Sequence, residues 1–215
     1  MSHITLYTNR RSPPGRAVEI TAKIIGVDLK IKLLDLIKLE HMTEEFSKLN
    51  PQLTIPTIVD NGVPLHGSHA IMIYLVSKYA QDDDLYPTDL MIQARINTLL
   101  HFESGVLYAR LRSTVKPIFY FGSSVVPHEK LNEIHRAYDL LEATLQSDYL
   151  VGNTLTLADI SCSTSLTVLH SVFPIDANRC PKLVAYLQRL EDNMPYYKEF
   201  KADCSKAAYL IKQKL

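Results

Sequence analysis

The chain has 215 residues, with 23 lysines and arginines against 23 aspartates and glutamates, so its formal net charge is zero. A hydrophobic fraction of 47% is ordinary for a folded globular protein and excludes a largely disordered chain. The balanced charge lacks the electrostatic footprint of a nucleic-acid-binding protein, so no nucleic-acid partner is expected. None of the seven glycines is arranged as G-x-G-x-x-G or G-x-x-x-x-G-K, which excludes dinucleotide and P-loop sites.

The first third of the chain alternates strand and helix patterns. Residues 4–8 form a short β-rich run, residues 13–26 have helical spacing, and residues 28–34 alternate polar and apolar side chains. Residues 55–60 and 63–65 then read as two strands across an Asn61-Gly62 turn, and residues 68–79 as a helix. This order predicts a small mixed sheet with helices.

A linker is predicted at residues 81–88, where a run of aspartates precedes Pro87 without any periodicity. Beyond it the pattern is helical. Residues 89–116 predict one long amphipathic helix that Pro117 stops or kinks. The prediction is therefore an α+β domain at residues 1–80, followed by an all-α helical bundle domain at residues 89–215.

Prolines open three of the later helices, predicted at residues 127–146, 181–193 and 195–213. Between them, residues 157–171 are almost all apolar or small, which predicts a helix that forms the buried axis of the bundle. Thr156 is predicted as the N-cap of this helix, with Asp159 three residues further on.

The three cysteines, Cys162, Cys180 and Cys204, are odd in number and lack a C-x-x-C motif, which favours a reducing compartment. None is expected to be a nucleophile: Cys162 lies in an apolar helix, and neither of the others is expected at a basic helix start. The first four residues lack a leader pattern, and no apolar run could span a membrane. We therefore expect a cytoplasmic protein with no membrane partner.

Four local motifs occur in this order of domains. They are Ser12-Pro13-Pro14-Gly15-Arg16, Asn50-Pro51-Gln52 before Ile55-Pro56, Ser68-His69-Ala70-Ile71, and Leu155-Thr156-Leu157-Ala158-Asp159. Together they resemble the cytosolic glutathione transferase family over nearly the whole chain. The S-P-P-x-R motif and His101-Phe102-Glu103-Ser104-Gly105 resemble the insect delta and epsilon classes, with epsilon the closer. The resemblance implies a thioredoxin-like N-terminal domain, glutathione as co-substrate and a homodimer.

By this resemblance Ser12 is the catalytic residue and donates a hydrogen bond to the glutathione sulfur, which lowers the pKa of the thiol. Local sequence alone favours Ser12 as only an N-cap for the first helix, and it is the family resemblance that favours the catalytic role. The bond before Pro56 is expected to be cis, so that the backbone of Ile55 pairs with glutathione; a strand-opening proline is the alternative. Ser68 and the neighbouring helix amides, including that of His69, are expected to hold a glutathione carboxylate.

Two residues depart from the family pattern. Gly67 replaces the acidic residue that usually holds the ligand's ammonium group, and Leu53 replaces a histidine near the glycyl carboxylate. We still expect both residues to belong to the glutathione site. His41 remains as a candidate ligand or a surface histidine, and Arg112 as a glutathione-site residue or a solvated arginine.

The expected partners are small hydrophobic electrophiles. By resemblance their site is formed by apolar or amphipathic residues, although core packing is the alternative role for most of the apolar ones: Pro14, Leu107, Tyr108, Leu111, Lys116, Phe119 and Tyr120. No metal is expected, because His66 and His69 lack further ligands. The predicted function is transfer of the glutathione thiolate to such electrophiles, or reduction of organic peroxides. A non-catalytic carrier of lipophilic ligands is the alternative.

Overall fold

The computed structural model describes residues 4–215, apart from the side chain of Ala207. Met1–His3, which contributed to the argument against a leader, lie outside the described residues. The chain divides into two compact units, the first ending at Tyr86 and the second beginning at Pro87. This division falls within the stretch 81–88. Among the described residues, no helix has the length and apolar character needed to cross a bilayer.

The first unit is a four-stranded mixed sheet with helices, which confirms the predicted fold class for this part. Its elements are β1 (Ile4–Thr8), α1 (Pro13–Ile24), β2 (Leu29–Leu33), α2 (Glu44–Leu49), β3 (Thr57–Asp60), β4 (Val63–His66) and α3 (Ser68–Tyr79). The strand order is β2-β1-β3-β4. β1 pairs in parallel with β2 and antiparallel with β3, and β3 pairs antiparallel with β4.

The segment between β2 and β3 contains two elements that the sequence pattern did not reveal. A short 3₁₀ turn covers Glu40–Met42, and α2 follows it. Thr43 caps α2, since its hydroxyl oxygen accepts a hydrogen bond from the Phe46 N–H at 3.2 Å. The signal was present as a threonine followed by two glutamates, but a helix of six residues is too short to show a periodic apolar face.

The second unit is all-helical, as predicted. Its first helix differs from the prediction, because α4 (Leu90–Phe102) passes into a π-helical segment (Glu103–Leu107) before α5 (Tyr108–Tyr120) begins. Pro117 lies inside α5 and does not end it. The proline removes only its own N–H from the ladder, and the carbonyl of Pro117 still accepts from the Phe121 N–H at 3.0 Å.

The remaining helices are α6 (His128–Thr144), α7 (Leu157–Val172), α8 (Pro181–Asn193) and α9 (Tyr197–Lys212). The predicted bounds of α8 are confirmed. The predicted start of α9 at Pro195 is wrong, because the left-handed residue Tyr196 (φ 64°) separates this proline from the helix.

Helix α7 is the buried axis of the second unit, as predicted. It buries its serines and threonines together with its apolar residues. Several hydroxyls are satisfied by carbonyls one turn back, as Ser163 and Thr164 show at 2.9 and 2.8 Å. The Asp159 carboxylate accepts from the backbone N–H of Leu150 and of Thr156 and from the Tyr186 hydroxyl. These donors offset the cost of burying a carboxylate whose pKa is raised by desolvation.

Gly15, in the first turn of α1, is predicted not to tolerate a side chain. A Cβ there would lie 2.1 Å from the Thr8 Oγ1, a buried atom with no hydrogen-bond partner among the described residues. We expect Gly15→Ala to lower the free energy of unfolding by about 1–3 kcal/mol through overpacking. In a Thr8→Ala background the same change should cost little or even stabilise, because alanine favours the helix. Urea unfolding of the four chains measures this, and equal costs in both backgrounds would contradict it.

His170, near the end of α7, predicts a pH-dependent stability. Its Nδ1 accepts a hydrogen bond from the Ile175 N–H at 3.1 Å, which requires an unprotonated nitrogen. Burial, and then the charge of Lys201, lower the pKa of His170 below 6.5. As the pH falls, His170 is therefore protonated at a higher pH in the unfolded chain than in the folded protein. The stabilisation that neutral His170 gives is complete above about pH 6.5 and is lost as the pH falls toward the pKa of His170 in the folded protein.

The measurement is the free energy of unfolding between pH 7.5 and 5.5 for the wild type and His170→Gln. As the pH falls, the free energy of unfolding should decrease less in the variant than in the wild type, because glutamine can accept a hydrogen bond from the Ile175 N–H but does not titrate. Parallel pH profiles for the two proteins would show that His170 contributes nothing.

Candidate active site

Four connections of the first unit meet at one edge of its sheet. β1 ends at Thr8, which pairs with Leu33 at the end of β2. The neighbouring Tyr7 pairs with Thr57, the first residue of β3, and Thr57 pairs with His66, the last residue of β4. The segments carrying Ser12, His41, Ile55 and Ser68 therefore all leave or enter the sheet at this edge.

Ser12 is the N-cap of α1, and its Oγ accepts a hydrogen bond from the Gly15 N–H at 3.3 Å. Pro13 and Pro14 supply no N–H, and the Arg16 N–H donates to the Ser12 carbonyl. The first turn thus leaves no amide free for an anion. Any hydrogen bond donated to an anion from this turn must come from the Ser12 hydroxyl.

The N-cap role of Ser12 is compatible with donation to a ligand. A hydroxyl has one donor and two acceptor lone pairs, and the bond from Gly15 uses only a lone pair. The Ser12 proton remains available to a thiolate. Since the residue is only 8% exposed, such a bond would form in a largely desolvated position.

Two side chains fix the loop that carries Ser12. The Asn9 Nδ2 donates to the Leu34 carbonyl at 2.8 Å, while the Asn9 Oδ1 accepts from the Arg11 N–H at 3.0 Å. The Arg16 Nε donates to the Arg10 carbonyl at 2.6 Å, and this arginine is 5% exposed. Sequence reasoning did not identify Asn9, although an asparagine directly after a strand is typical of a side-chain-stabilised turn.

The Ile55–Pro56 peptide bond is cis, which confirms the sequence expectation. Neither the N–H nor the C=O of Ile55 makes a hydrogen bond within residues 4–215, so both are available to an extended peptide ligand. The buried Asn50 organises this loop, because its Nδ2 donates to the Thr54 carbonyl at 2.8 Å and to the Thr57 hydroxyl at 3.1 Å. Asn50 is a positioning residue that the sequence analysis quoted without assigning it a role.

The N-terminus of α3 differs from that of α1. Gly67 is its N-cap and has no side chain that could accept a hydrogen bond from the first amides of this helix. Ser68 and His69, both half-buried, and Ala70 carry these amides. An uncapped helix start with a serine hydroxyl is suited to hold a carboxylate.

The two departures from the family pattern have different local geometries. Gly67 has a φ of +86° with nothing within 4 Å of an added Cβ, so the backbone, and not space, restricts a side chain there. Leu53 has a φ of +53°, and its N–H donates to the Asn50 carbonyl at 2.9 Å. His41 lies in the 3₁₀ turn, where burial lowers its pKa and its Nδ1 has no hydrogen-bond partner among the described residues. At neutral pH His41 is therefore uncharged, so it can offer a ligand a hydrogen bond and no charge.

The residues predicted for the hydrophobic substrate site separate by burial. Leu107 has no exposed surface, Leu111 is 5% exposed and Pro14 is also buried, so packing accounts for these three. Tyr108 and Phe119 are half-buried, whereas Arg112, Lys116 and Tyr120 are exposed. These five half-buried or exposed residues follow helical spacing along one side of α5.

The described residues contain no group of three or more histidine, cysteine or acidic side chains that could hold a metal ion. Cys162, Cys180 and Cys204 are free and buried. The expectation that Cys180 lies away from a helix start is wrong, because it is the N-cap of α8 and follows Arg179. Burial nevertheless raises the pKa of its thiol, and Asp139 and Glu142 add to this.

Two family models match the chain. The glutathione S-transferase N-terminal domain matches residues 6–83, and the glutathione S-transferase C-terminal domain matches residues 108–193. Glutathione S-transferase 1 of Manduca sexta is 38% identical over 198 residues, covering 91% of each chain.

Solved structures give the same result. An epsilon-class glutathione S-transferase from the housefly, Musca domestica, superposes with a TM-score of 0.94 at 38% identity, covering 98% of both chains. A glutathione transferase homologue from Drosophila mojavensis, solved with bound glutathione, gives 0.95 at 41% identity and covers 100% of this chain and 98% of the other. With these likenesses extending over both units, the chain belongs to the glutathione S-transferase family.

Proposed function

We propose that this enzyme conjugates glutathione to hydrophobic electrophiles, with Ser12 stabilising the attacking thiolate. This proposal rests on one observation: three features meet at one edge of the sheet. They are the Ser12 hydroxyl with a free proton, the unpaired backbone of Ile55, and the start of α3 at Ser68, where the N-cap has no side chain. These match the thiol, the peptide backbone and the carboxylate of a γ-glutamyl tripeptide. The unit ending at Tyr86 binds glutathione, and the helical unit accepts the electrophile.

Ser12 acts by donating its proton to the sulfur and so favouring the thiolate. Lowering a thiol pKa from about 8.5 to about 6.5 raises the thiolate fraction at pH 7 about 25-fold. The anion also becomes a weaker nucleophile, by about tenfold at a Brønsted slope near 0.5, so the net gain is only a few-fold. Most of the rate advantage must come from holding the two reactants in an aligned geometry.

The remaining glutathione contacts follow from the local chemistry. The Ile55 N–H and C=O pair with the cysteinyl part of glutathione, and Ser68 with the first amides of α3 holds the γ-glutamyl carboxylate. Neutral His41 gives the glycyl carboxylate a hydrogen bond. Leu53 and Gly67 add no charge to the site, so the ligand's ammonium group lacks the usual acidic partner.

On the helical unit, we assign the electrophile to the exposed side of α5, where Tyr108, Lys116, Phe119 and Tyr120 lie, and we propose Arg112 as a further glutathione-binding residue. The buried Leu107 and Leu111 support this surface from within the helical unit. We also propose a homodimer, with residues 101–105 at the contact, and a cytoplasmic location consistent with three free thiols.

Replacing Ser12 tests the thiolate mechanism. We expect Ser12→Ala to lower kcat/KM for a neutral electrophile about three- to tenfold near pH 6.5, because the greater nucleophilicity of a thiolate of higher pKa offsets part of the lost thiolate population. The loss should shrink above the free thiol's pKa, where the thiolate forms without help. Ultraviolet difference spectra should show bound thiolate in the wild type and much less in the variant, while titration calorimetry reports glutathione affinity.

Ser12→Thr is the matched control, because threonine keeps both the hydroxyl and the N-cap acceptor. An equal loss of activity in Ser12→Ala at low and high pH would exclude thiolate stabilisation by Ser12. Absence of glutathione binding to the wild type would instead favour the non-catalytic carrier, which the Gly67 and Leu53 departures suit.

A pair of variants at Gly67 tests whether the ammonium group of glutathione lacks an acidic partner in this protein. Gly67→Glu and Gly67→Gln share the same strained positive φ and nearly the same volume, so backbone cost cancels between them. We expect the glutamate variant to bind glutathione about tenfold more tightly than the glutamine variant, since a charge-assisted pair adds roughly 1.5 kcal/mol or more. Calorimetric dissociation constants measure the difference, and equal values would mean that another carboxylate already holds the ammonium.

A further inference from the structure

Helix α5 carries an uncompensated positive charge. Its thirteen residues include Arg110, Arg112 and Lys116 and no aspartate or glutamate, in a chain whose net charge is zero. Arg110 is half-buried and acts electrostatically on Glu133 of α6. Arg112 and Lys116 are exposed, and neither forms an ion pair within residues 4–215.

A third cation reaches the same side of α5 from the end of α9. The Lys214 Nζ lies 5.7 Å from the centroid of the Phe119 ring, at cation–π distance. The last acidic residue of the chain is Asp203, and the segment after it holds three lysines. Lys206 pairs with Asp203, so that carboxylate is already engaged by a nearer lysine.

Aromatic rings alternate with these charges. Tyr108, Arg112, Lys116 and Tyr120 follow one another at intervals of four residues, and Phe119 lies beside them under Lys214. We call Tyr108, Arg112, Lys116, Phe119, Tyr120 and Lys214 the cationic aromatic face. Arg112 and Lys116 repel each other at this i, i+4 spacing, so a bound anion would relieve an unfavourable interaction.

We infer that the cationic aromatic face selects hydrophobic electrophiles that also bear a negative charge, such as aromatic or aliphatic carboxylates. This inference rests on the proposed function, because it assigns a substrate class to the same face of α5. The rings receive the apolar body of the substrate, and Lys116 and Lys214 attract its carboxylate. Glutathione itself is anionic, so the test must keep its contribution constant.

The experiment compares an anionic and a neutral substrate with the same chloronitrophenyl ring, 4-chloro-3-nitrobenzoate and its methyl ester. In both, the glutathione thiolate attacks the ring carbon that bears chlorine, the C–S bond forms, the C–Cl bond breaks and chloride leaves with the electron pair. Each kcat/KM is divided by the uncatalysed rate constant with glutathione, which removes the difference in intrinsic reactivity. The ratio of acid to ester is the readout.

Lys116→Gln and Lys214→Gln should each lower this ratio about two- to fivefold, the range measured for exposed charge pairs. Lys198→Gln is the matched control, because it removes an exposed lysine of α9 outside this face and should leave the ratio as in the wild type. For the wild type, the normalised rate with the acid should fall more steeply with added salt than that with the ester, since salt screens exposed charges.

The outcomes separate this inference from the proposed function. If the ester is conjugated but neither lysine variant changes the ratio and salt affects both substrates alike, the face does not select anions and the inference is overturned. If neither substrate nor a neutral chlorodinitrobenzene is conjugated, the proposed function fails and the inference fails with it. The inference would also be overturned if Lys198→Gln lowered the ratio as much as Lys116→Gln, because the net charge of the protein alone would then explain the effect.

Discussion

The register between β1 and β3 is the constraint on which the glutathione site depends. Because Tyr7 pairs with Thr57, and Thr57 in turn with His66, three separate chain connections converge on one sheet edge. A shift of one residue would move the whole pairing and turn the buried Leu6 and Ile58 outward, so the packed core holds this register. The geometry of a polar site is thus fixed by neighbouring buried apolar side chains of the same strands.

Around this edge, two helix starts have opposite designs. In α1, two prolines and a serine cap remove every free amide, which leaves a single hydroxyl proton as the directional group. In α3, the glycine at the N-cap supplies no side-chain acceptor to the first amides. The first arrangement suits a sulfur atom that needs one bond along one direction, and the second suits a carboxylate that accepts several. In the proposed function, these two helix starts together orient an extended tripeptide.

Much of the architecture could be predicted from sequence, because strand alternation, the Asn-Gly turn and the Thr156 cap are local signals. The elements that could not be predicted are those in which tertiary contacts override local preference. The π-helical segment is one, since the buried Glu103 accepts from the Ser165 hydroxyl of α7 at 2.5 Å and no pattern within α4 records this. The short helix α2 is another, because Thr43 defines it more than any periodicity does.

The site residues were predictable as a set only where a motif named them. The motifs and the family resemblance singled out Ser12, Ser68 and the cis bond before Pro56; the cis bond is confirmed, and the roles of Ser12 and Ser68 stay predictions. The supporting side chains Asn9, Asn50 and Arg16 act through backbone carbonyls distant in sequence or in neighbouring turns, and a single sequence does not encode such partners visibly. Burial also separated Leu107 and Leu111 from the half-buried Phe119, which hydropathy alone could not do.

The π-helical segment Glu103–Leu107 has an evolutionary consequence. A π turn accommodates an extra residue within a continuous helix, and one residue corresponds to about 100° of rotation around an α-helix. The direction in which each side chain of α5 points around the helix axis therefore depends on a local insertion upstream of the helix. Loss or gain of one residue there would present a different stripe of α5 to solvent while its sequence stayed the same. Ligand preference in such a fold can thus diverge by a change in helical phase, without any substitution among the residues that touch the ligand.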